Sequence, residues 1–492
     1  MISLISLTPP MEKSNVTKQR IILVSKRSPL TYSRSKTNGE LEAMLAPGGT
    51  ANVVADMASL LDVDWMCSAM TDEDREVRER HPQGLRLAFT SSERPITVHM
   101  QQHEAQVFSD MQEIMTADVL WACNNTLWDS WTAPSFGPDI RRAWQNYKLF
   151  NEDFLNALAP RLEQSPRAPV LVHDYQLSVL PGMLRRVYPD QRILLFIHIP
   201  WPSADYWRML PGYMRREFIE GMLGASVIGF FAARWARNFL DGVKDLLPEA
   251  KVDADDMIVE YAGRRTRVAA MPLGYSPQAI DYRERDMPAD LRAWVAGRFL
   301  ILHSGRTDPI KNGARAIAAF RLACEQSIAL RERGCLLVRC NPNRLYVQAN
   351  SDYLARLHAE ADRTNKHFGA ELVRVICEND VGNTLGCLQE ADALVFNSTI
   401  DGQNLTVFEA SLLNRRDATV LLSERAGAAE ALAGVVDMVN PFDIAELAGK
   451  LQAAFAAGPE DRREKAERRW KRARGFDLPR WVDMQLTALE EL

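Results

Sequence analysis

Short apolar runs alternate along this chain with longer stretches in which apolar residues recur every three or four positions. The runs are, in order, Ile21–Val24, Val170–Val172, Ile193–Ile197, Val227–Phe231, Phe299–Leu302, Leu336–Val338, Val373–Ile376, Ala393–Phe396 and Val420–Leu422. Runs that are apolar throughout predict strands buried on both faces, and the longer periodic stretches predict amphipathic helices. The pattern therefore predicts an α/β fold in which parallel sheets are covered by helices on both sides.

The runs fall into two sets, one on each side of the Pro- and Gly-containing segment Met271–Pro277. A chain of 492 residues is longer than one hydrophobic core usually organises, which is about 250–300 residues. We expect two doubly wound domains with a cleft between them. The boundaries that we predict are a flexible lead at 1–20, an N-terminal domain at 21–275, a C-terminal domain at 276–460, and a C-terminal helix at 461–492 that packs back on the first domain.

Composition and charge disfavour several classes of protein. The net charge of -5 argues against a surface built for nucleic acid. No apolar run reaches the ~18–20 residues of a membrane span, and the first twenty residues lack the apolar centre of a signal peptide. The seven cysteines include no Cys-x-x-Cys pair, which is typical of free thiols in a reducing compartment. We therefore expect a cytoplasmic protein whose partners include neither nucleic acid nor a membrane.

Unusual polar residues follow six of the predicted strands. They are Ser25–Arg27, His173–Tyr175, His198–Pro202, Arg306 with Lys311, Asn341–Arg344, and Asp401–Asn404. In open α/β sheets, ligands bind beyond the carboxyl ends of the strands. Because six strand ends carry such residues, we expect them to contribute to one binding site.

Two cations on one short loop, Arg306 and Lys311, have the chemistry of a diphosphate clamp, since arginine binds oxygens bidentately and lysine adds a point charge. The alternative is a pair of solvated surface charges. Asp174 and His198 could hold sugar hydroxyls or form a satisfied core pair. Glu409, which we expect on a helix, could accept both hydroxyls of a ribose.

Other patterns carry less chemistry. Gly48 and Gly49 precede a predicted helix whose free N–H groups favour an anion, although a Gly pair is also a common turn. His99 and His103 are spaced for a metal but follow β-branched residues, and two of the three Asp-x-Asp strings, Asp72–Asp74 and Asp253–Asp255, lie in polar surroundings. No metal site is expected at any of them. The basic run from Arg462 to Arg474 is interleaved with glutamates, which predicts the solvated face of a helix.

Three motifs resemble those of the trehalose-6-phosphate synthases, a family of retaining glycosyltransferases. They are HDYQL from His173, HIPWP from His198 and DGQNLTVFE from Asp401, and the spacing of Arg306 and Lys311 matches the family's Arg-x4-Lys clamp. The similarity runs from about residue 21 to the C-terminus and implies a GT-B type fold, with two Rossmann-like domains facing a central cleft.

The resemblance also implies roles for individual residues. The residues implied to act in catalysis are His198, Asp174, Arg306, Lys311 and Asp401. The residues implied to bind the donor nucleotide are Gly49, Arg306, Lys311, Gln403, Asn404, Leu405 and Glu409. The residues implied to bind the acceptor's phosphate are Arg27 and Arg344. No metal and no other cofactor is implied. The implied partners are the two small-molecule substrates, and a homodimer is one assembly that the sequence leaves open.

Three residues depart from the synthase motifs: Gln176 replaces a His, Trp201 replaces a Phe and Gln403 replaces a Met. This set is similar to the pseudo-glycosyltransferases of the validoxylamine A 7'-phosphate synthase type. Those enzymes couple a GDP-valienol-like cyclitol to a phosphorylated aminocyclitol, such as validamine 7-phosphate, through a C–N bond with retention. Two alternatives stay open: transfer of glucose from GDP- or UDP-glucose to glucose 6-phosphate, and a non-catalytic regulator that binds nucleotide sugars.

Overall fold

The structure is a computed structural model that describes residues 20–35, 37–45, 49–87, 96–276, 285–343, 345 and 347–491, with side chains except at 45 and 49–52. These residues form two compact units. Unit 1 contains the described residues up to 276 together with those from 477 onwards. Unit 2 contains the described residues from 285 to 476.

The strands of the two main sheets and of one further two-stranded sheet are numbered along the chain. They are β1 Arg20–Ser25, β2 Leu30–Arg34, β3 Leu41–Leu45, β4 Asp62–Ser68, β5 Leu85–Leu87, β6 Ile96–Gln101, β7 Val170–His173, β8 Ile193–Ile197, β9 Val227–Phe230, β10 Lys251–Asp253, β11 Ile258–Tyr261, β12 Arg264–Ala270, β13 Phe299–Arg306, β14 Gly334–Asn341, β15 Val373–Cys377, β16 Ala393–Phe396, β17 Thr419–Ser423 and β18 Asp437–Val439.

The α-helices are numbered in the same way. They are α1 Gly49–Ser59, α2 Asp72–Arg80, α3 Ala105–Ser109, α4 Trp121–Asn124, α5 Pro138–Gln164, α6 Leu180–Val187, α7 Ala204–Trp207, α8 Gly212–Met222, α9 Ala233–Leu246, α10 Ala289–Val295, α11 Gly313–Gln326, α12 Ile328–Arg333, α13 Gln348–Phe368, α14 Val381–Glu390, α15 Leu405–Leu413, α16 Ala428–Ala431, α17 Ile444–Ala456, α18 Pro459–Ala473 and α19 Leu478–Glu490. A π-helical segment, Asp110–Leu120, lies between α3 and α4. Two single 3₁₀ turns are Tyr175–Leu177 and Pro309–Lys311.

Unit 1 is built on a sheet whose strand order is β10-β11-β12-β9-β8-β7-β1-β4-β6-β5. The strands from β12 to β6 in that order are parallel, and β5, β10 and β11 add antiparallel edges. The strand order reverses between β1 and β7, and doubly wound sheets bind ligands at the carboxyl ends of the strands where such a reversal occurs.

Unit 2 has a wholly parallel sheet with the order β15-β14-β13-β16-β17-β18. Numbered within the unit, this is the order 3-2-1-4-5-6 of a Rossmann fold, and the reversal lies between β13 and β16. One hydrophobic core cluster of this unit includes Ile301 of β13, Ile317 and Phe320 of α11, and Leu357 of α13, all fully buried. The predicted α/β class, with two Rossmann-like units of the GT-B type, is confirmed.

The C-terminal region differs from the single predicted helix at 461–492. Helix α18 belongs to unit 2, and α19 belongs to unit 1. The break follows from local sequence: Gly475 interrupts the periodicity, and the Asp477 carboxylate caps α19 by accepting a hydrogen bond from the Arg480 N–H at 3.0 Å. Within the described part of the chain, no helix is both long and apolar enough to cross a bilayer.

Candidate active site

Lys311 and Asp401 meet at the carboxyl ends of β13 and β16 in unit 2. Lys311 Nζ donates a hydrogen bond to Asp401 Oδ2 at 2.6 Å, and both side chains are mostly buried. Gly305, near the end of β13, makes room for this lysine, because a Cβ there would lie 3.0 Å from Lys311 Cγ. The structure thus brings together two of the predicted site residues as an ion pair.

The backbone around Lys311 is held by buried hydrogen bonds. His303 Nε2 lies 2.8 Å from the Lys311 carbonyl oxygen, and burial lowers the pKa of His303 to about 4. A neutral His303 therefore donates its Nε2–H to that carbonyl. Asn312 has a left-handed backbone with φ of 63°, and its Nδ2 donates to the carbonyls of Asn397 and Pro441 at 2.8 and 2.7 Å. These contacts fix the direction in which Lys311 leaves the turn.

Arg306 lies at the same strand end as Lys311 but is far more accessible, with 43% of its side chain exposed. Its Nη2 lies 3.3 Å from Asp308 Oδ2, and Asp308 is itself buried. The pair therefore consists of one accessible guanidinium and one shielded ammonium. This arrangement can neutralise anionic oxygens that approach the strand end, with the ammonium held in place beforehand.

The loop after Asp401 leads directly into helix α15. Gln403 and Asn404 are buried, and Asn404 takes a left-handed φ of 71° immediately before Leu405 opens the helix. The close approach of Gly427 shapes this loop, because a Cβ on Gly427 would lie 2.1 Å from the Gly402 carbonyl oxygen. The first N–H groups of α15 are thereby presented at the carboxyl edge of the sheet, a position that favours an anion.

Glu409 lies on α15, one turn beyond its start, and is half-buried. Burial raises the pKa of its carboxyl group above the usual value. The carboxylate form is therefore less favoured than in water, and a ligand that donates hydrogen bonds to it would be bound more strongly. A diol such as a ribose provides two such donors.

In unit 1, Asp174 directly follows β7 in an unusual backbone conformation, with φ of 80°. This geometry lets Oδ1 accept hydrogen bonds from two backbone N–H groups, those of Tyr175 at 3.0 Å and His198 at 3.2 Å. Burial raises the pKa of Asp174 to about 6, while these hydrogen bonds and the charge of Lys26 act in the opposite direction. Asp174 is a carboxyl group that changes charge near neutral pH.

His173 and His198 form a buried pair beside Asp174. Their Nδ1 and Nε2 atoms, respectively, lie 3.0 Å apart. Burial lowers the pKa of His173 to about 3, and burial together with the nearby His173 lowers that of His198 well below its ordinary value. Both rings are therefore neutral, so His198 can offer a hydrogen bond to a ligand but not a full positive charge.

Aromatic rings from distant parts of unit 1 fix the orientation of His198. Phe196, Phe231 and Trp481 surround it, with ring centroids 5.0, 5.3 and 6.1 Å away. Trp481 comes from α19 and is fully buried. The C-terminal helix thus supplies one wall of the apolar environment that keeps His198 neutral.

Lys26 belongs to the predicted strand-end group Ser25–Arg27, but the sequence reasoning gave it no role of its own. It follows β1, is 5% exposed, and donates a hydrogen bond to Gln112 Oε1 on the π-helical segment. Its positive charge lowers the pKa of Asp174, which places it close to that carboxylate. A lysine directly after a buried strand was the available signal, but the prediction assigned the neighbouring Arg27. Arg27 is half-buried, and its carbonyl accepts a hydrogen bond from Ser25 Oγ at 2.8 Å.

Two of the departures from the synthase motifs lie in different environments. The Gln176 side chain is hydrogen-bonded to Asp174 and lowers its pKa, so this substitution acts at the site. Trp201 is buried in the core of unit 1, where it stacks on Trp207 with centroids 4.5 Å apart and planes 16° apart. The Trp201 substitution is therefore a change in packing.

The structure gives less information on two of the predicted site residues, Gly49 and Arg344. Gly49 is the first residue of α1, at the position predicted for an anion-binding helix start. Arg344 lies outside the described residues. Among the side chains that the structure does describe, no group of three or more His, Cys, Asp or Glu residues is arranged to hold a metal ion.

The two sheet edges each belong to a Rossmann-like unit and carry residues suited to binding sugars and phosphates. This chemistry agrees with the family to which the sequence assigns the chain. Residues 19–491 match the model of glycosyltransferase family 20, so the chain belongs to that family and is an enzyme of the glycosyltransferase class. The match spans both units.

Three individual proteins of known name or structure are similar to this chain to different degrees. The validamine 7-phosphate valienyltransferase of Streptomyces hygroscopicus subsp. jinggangensis (strain 5008) is 48% identical over 474 residues, covering 96% of this chain and 95% of that protein. The UDP-forming α,α-trehalose-phosphate synthase of Schizosaccharomyces pombe is 28% identical, with 91% and 86% covered. The crystal structure of the Burkholderia xenovorans α,α-trehalose-phosphate synthase in complex with glucose-6-phosphate has a TM-score of 0.79 at 23% identity, with 96% and 100% covered.

Proposed function

We propose that this protein is a retaining pseudo-glycosyltransferase that moves a valienyl-type cyclitol from a nucleoside diphosphate to the amine of a phosphorylated aminocyclitol. The observation that carries the proposal is the 48% identity to a validamine 7-phosphate valienyltransferase over 96% of the chain. The trehalose-phosphate synthases cover the chain nearly as fully, but at much lower identity. Gln176, hydrogen-bonded to Asp174 in place of the synthases' His, provides a local reason for a changed acceptor.

The proposed reaction breaks the bond between the allylic carbon of the cyclitol and the oxygen of the diphosphate. The bonding electrons leave with the diphosphate, and Arg306 and Lys311 neutralise the negative charge that develops there. The acceptor nitrogen forms the new C–N bond on the same face, and its proton passes to an oxygen of the departing phosphate. The step balances without a protein base and without an oxidant or reductant.

We propose that the acceptor binds in unit 1, next to Asp174. Its carboxylate, with a pKa of about 6, is charged at neutral pH and can accept hydrogen bonds from the amine or hydroxyls of an aminocyclitol. His198, kept neutral by its apolar surroundings, can donate a hydrogen bond to a ring hydroxyl of the donor. The acceptor's phosphate is assigned to Arg27 and Arg344.

For the donor we propose GDP-valienol and a reaction that needs no metal. Glu409 would hold the ribose, and the start of α15 with Gln403 and Asn404 would face the remainder of the nucleotide. The accessible Arg306 and the shielded Lys311 supply two positive charges at the diphosphate, the role that a divalent cation has in other transferases. Undiminished turnover in excess EDTA is the expected result, and a loss restored by Mg²⁺ would contradict it.

For the compartment we propose the cytoplasm. The seven cysteines are all free, and six of them are buried. Burial raises the pKa of the Cys67 thiol to about 12. A buried thiol of this kind stays protonated and unreactive. Free thiols of this kind suit a reducing environment.

The test is a side-by-side assay of two substrate pairs, with products detected by mass. The first pair is GDP-valienol with validamine 7-phosphate, and the second is GDP- or UDP-glucose with glucose 6-phosphate. We expect efficient C–N coupling with the first pair and little trehalose 6-phosphate from the second. Efficient trehalose 6-phosphate formation without cyclitol coupling would assign the protein to the ordinary synthases. Binding of nucleotide without turnover of either pair would make it a regulator.

A further inference from the structure

A small basic groove lies in unit 2 at the amino ends of β17 and β18, on the sheet edge opposite to the candidate active site. Its volume is about 60 Å³. The strand ends form one wall, and one face of α18 forms the other. That helix contributes four cationic side chains: Arg462, Lys465, Arg468 and Arg469. The sequence pattern predicted a solvated face here, and the structure shows that part of this face is buried.

Arg469 is the unusual member of the groove, since only 2% of it is exposed. Its Nε is buried and has no hydrogen-bond partner within the described chain. Burial lowers the pKa of Arg469 to about 10, and the nearby carboxylates of Asp417 and Asp437 offset only part of that effect. A buried guanidinium with an unsatisfied donor is costly, and native proteins normally provide it with a partner.

Arg462, two helical turns before Arg469, repeats this feature: its Nε is also buried and has no hydrogen-bond partner among the described residues. Residues at this spacing lie on the same face of a helix, so both donors belong to one wall of the groove.

Two nearby carboxylates, those of Asp437 and Asp392, are already paired with side chains of the groove or beside it. Asp437 lies 3.4 Å from Lys465 Nζ. Asp392 lies 3.7 Å from Arg462 Nη1 and is shared with Arg416 at 3.2 Å. The groove therefore has an excess of positive charge, and its two unsatisfied Nε donors have no acceptor among the described residues.

We propose that this groove binds a tetrahedral oxyanion, either free phosphate or the phosphate group of a small phosphate ester, with Arg469 and Arg462 as its buried donors. A volume of about 60 Å³ suits one such group. Lys465 and Arg468 are exposed at the rim, so a ligand can enter from solvent and an ester can extend outwards. The site is separate from the substrate-binding positions and does not depend on which transfer the enzyme performs.

Thermal unfolding of the full chain tests the proposal, with inorganic phosphate compared against potassium chloride at equal ionic strength. The wild-type midpoint should rise by roughly 1–2 °C for each tenfold increase in phosphate above its dissociation constant. Arg469→Met and Arg462→Met should each lose most of this rise. Arg463→Met is the matched control, because Arg463 is exposed on the same helix and does not line the groove; it should respond as the wild type does.

Because the active site also attracts phosphate, the series is repeated with Lys311→Ala. A rise that persists in Lys311→Ala and disappears in Lys311→Ala/Arg469→Met supports the groove. A rise that disappears with Lys311→Ala alone, and is unchanged in Arg469→Met, overturns the proposal. A parallel titration with glucose 6-phosphate identifies the source: an Arg469-dependent rise with the ester points to a phosphorylated metabolite, and a rise with inorganic phosphate alone points to the free ion.

Two further measurements do not depend on a loss of binding. In phosphate-free buffer, Arg469→Met should unfold at a higher temperature than the wild type, because it removes a buried guanidinium with an unsatisfied Nε donor, and this order should reverse in excess phosphate. Should the variant fail to fold, crystals of the wild type soaked in tungstate, a heavy tetrahedral oxyanion, show the site directly. Tungstate density beside Arg469 supports the proposal, and density only at Arg306 and Lys311 contradicts it.

Discussion

The two sheet edges that carry candidate site residues, one in each unit, handle charge in opposite ways. In unit 1, burial keeps His173 and His198 neutral and holds Asp174 at a pKa of about 6. In unit 2, Lys311 and Asp401 form an ion pair at 2.6 Å beside an accessible Arg306. The same fold thus provides one edge suited to recognising neutral or weakly charged hydroxyls and amines. The other edge is suited to holding a diphosphate while its charge grows.

The largest expected effect comes from removing charge at the unit 2 edge. Lys311→Ala should lower turnover by about 10²–10³, the scale of one preorganised group that stabilises transition-state charge. Steady-state kinetics with the preferred substrate pair measures this loss. Lys450→Ala is the control, because Lys450 pairs with Glu446 on the surface of the same unit. Near-normal turnover in Lys311→Ala would remove the clamp from the mechanism.

The Lys311→Ala result needs one further comparison, since the substitution leaves Asp401 without its cation. The double variant Lys311→Ala/Asp401→Asn removes that isolated carboxylate. Because Asp401 is itself among the implied catalytic residues, the double variant is compared with Asp401→Asn alone. If the double variant is much slower than Asp401→Asn, the loss comes from the missing positive charge; if the two are equally fast, the loss in Lys311→Ala came from the uncompensated Asp401.

The next effect concerns Asp174 in unit 1. Because burial raises its pKa to about 6, the carboxylate forms as the pH rises through that value. We expect kcat/KM for the acceptor to fall by about tenfold per pH unit below pH 6 and to level off above it. Asp174→Asn should lower kcat/KM by about 10–100-fold at neutral pH, as expected for losing a hydrogen bond to a charged group, and should abolish that slope. A slope that persists in the variant would assign the titration to another group.

A smaller effect is expected from Gln176→His, which restores the synthase motif next to Asp174. It should shift the ratio of cyclitol coupling to trehalose 6-phosphate formation towards the latter by about tenfold, since the hydrogen bonds available to the acceptor change. Product ratios by mass spectrometry measure the shift. An unchanged ratio would mean that acceptor choice is made elsewhere.

The smallest effect on activity is expected from Trp201→Phe, which restores the Phe of the second synthase motif. Trp201 is packed on Trp207 in the core, so the loss of volume should cost about 1–3 kcal/mol of unfolding free energy and leave the product ratio unchanged. Denaturant unfolding measures the loss, with Trp131→Phe as the control, because Trp131 is 92% exposed. A changed product ratio in Trp201→Phe would contradict the separation between site and core.

The fold was accessible from the sequence because most of the central strands of both main sheets contain apolar runs. The runs at Ile21–Val24 and Phe299–Leu302, for example, became β1 and β13 within a few residues. The residues at the ends of these strands were equally accessible, since position along a parallel strand determines the sheet edge on which a side chain lies. Lys311 and Asp401 were predicted at one edge and are in direct contact there.

What the sequence did not reveal depends on contacts between distant residues. Lys26 is held by a hydrogen bond to Gln112, which is 86 positions away, on a π-helical segment that no periodicity predicts. Arg469 belongs to a run that has the composition of a solvated helix face, and only the packing of α18 against the sheet buries it. The break between α18 and α19 depended on Gly475 and Asp477, whose local signals were outweighed by the helical periodicity on both sides.

Helix α19 has a consequence for how the protein is made. Trp481 completes the apolar wall around His198, yet the ribosome synthesises it after all of unit 2. While the chain is growing, the edge of unit 1 that carries His198 and Phe231 therefore lacks one side, and its aromatic surface is open to chaperones and proteases. Only a chain synthesised through α19 can close that surface. Completion of unit 1 therefore requires synthesis through α19, and chains truncated before Trp481 lack this wall of the His198 environment.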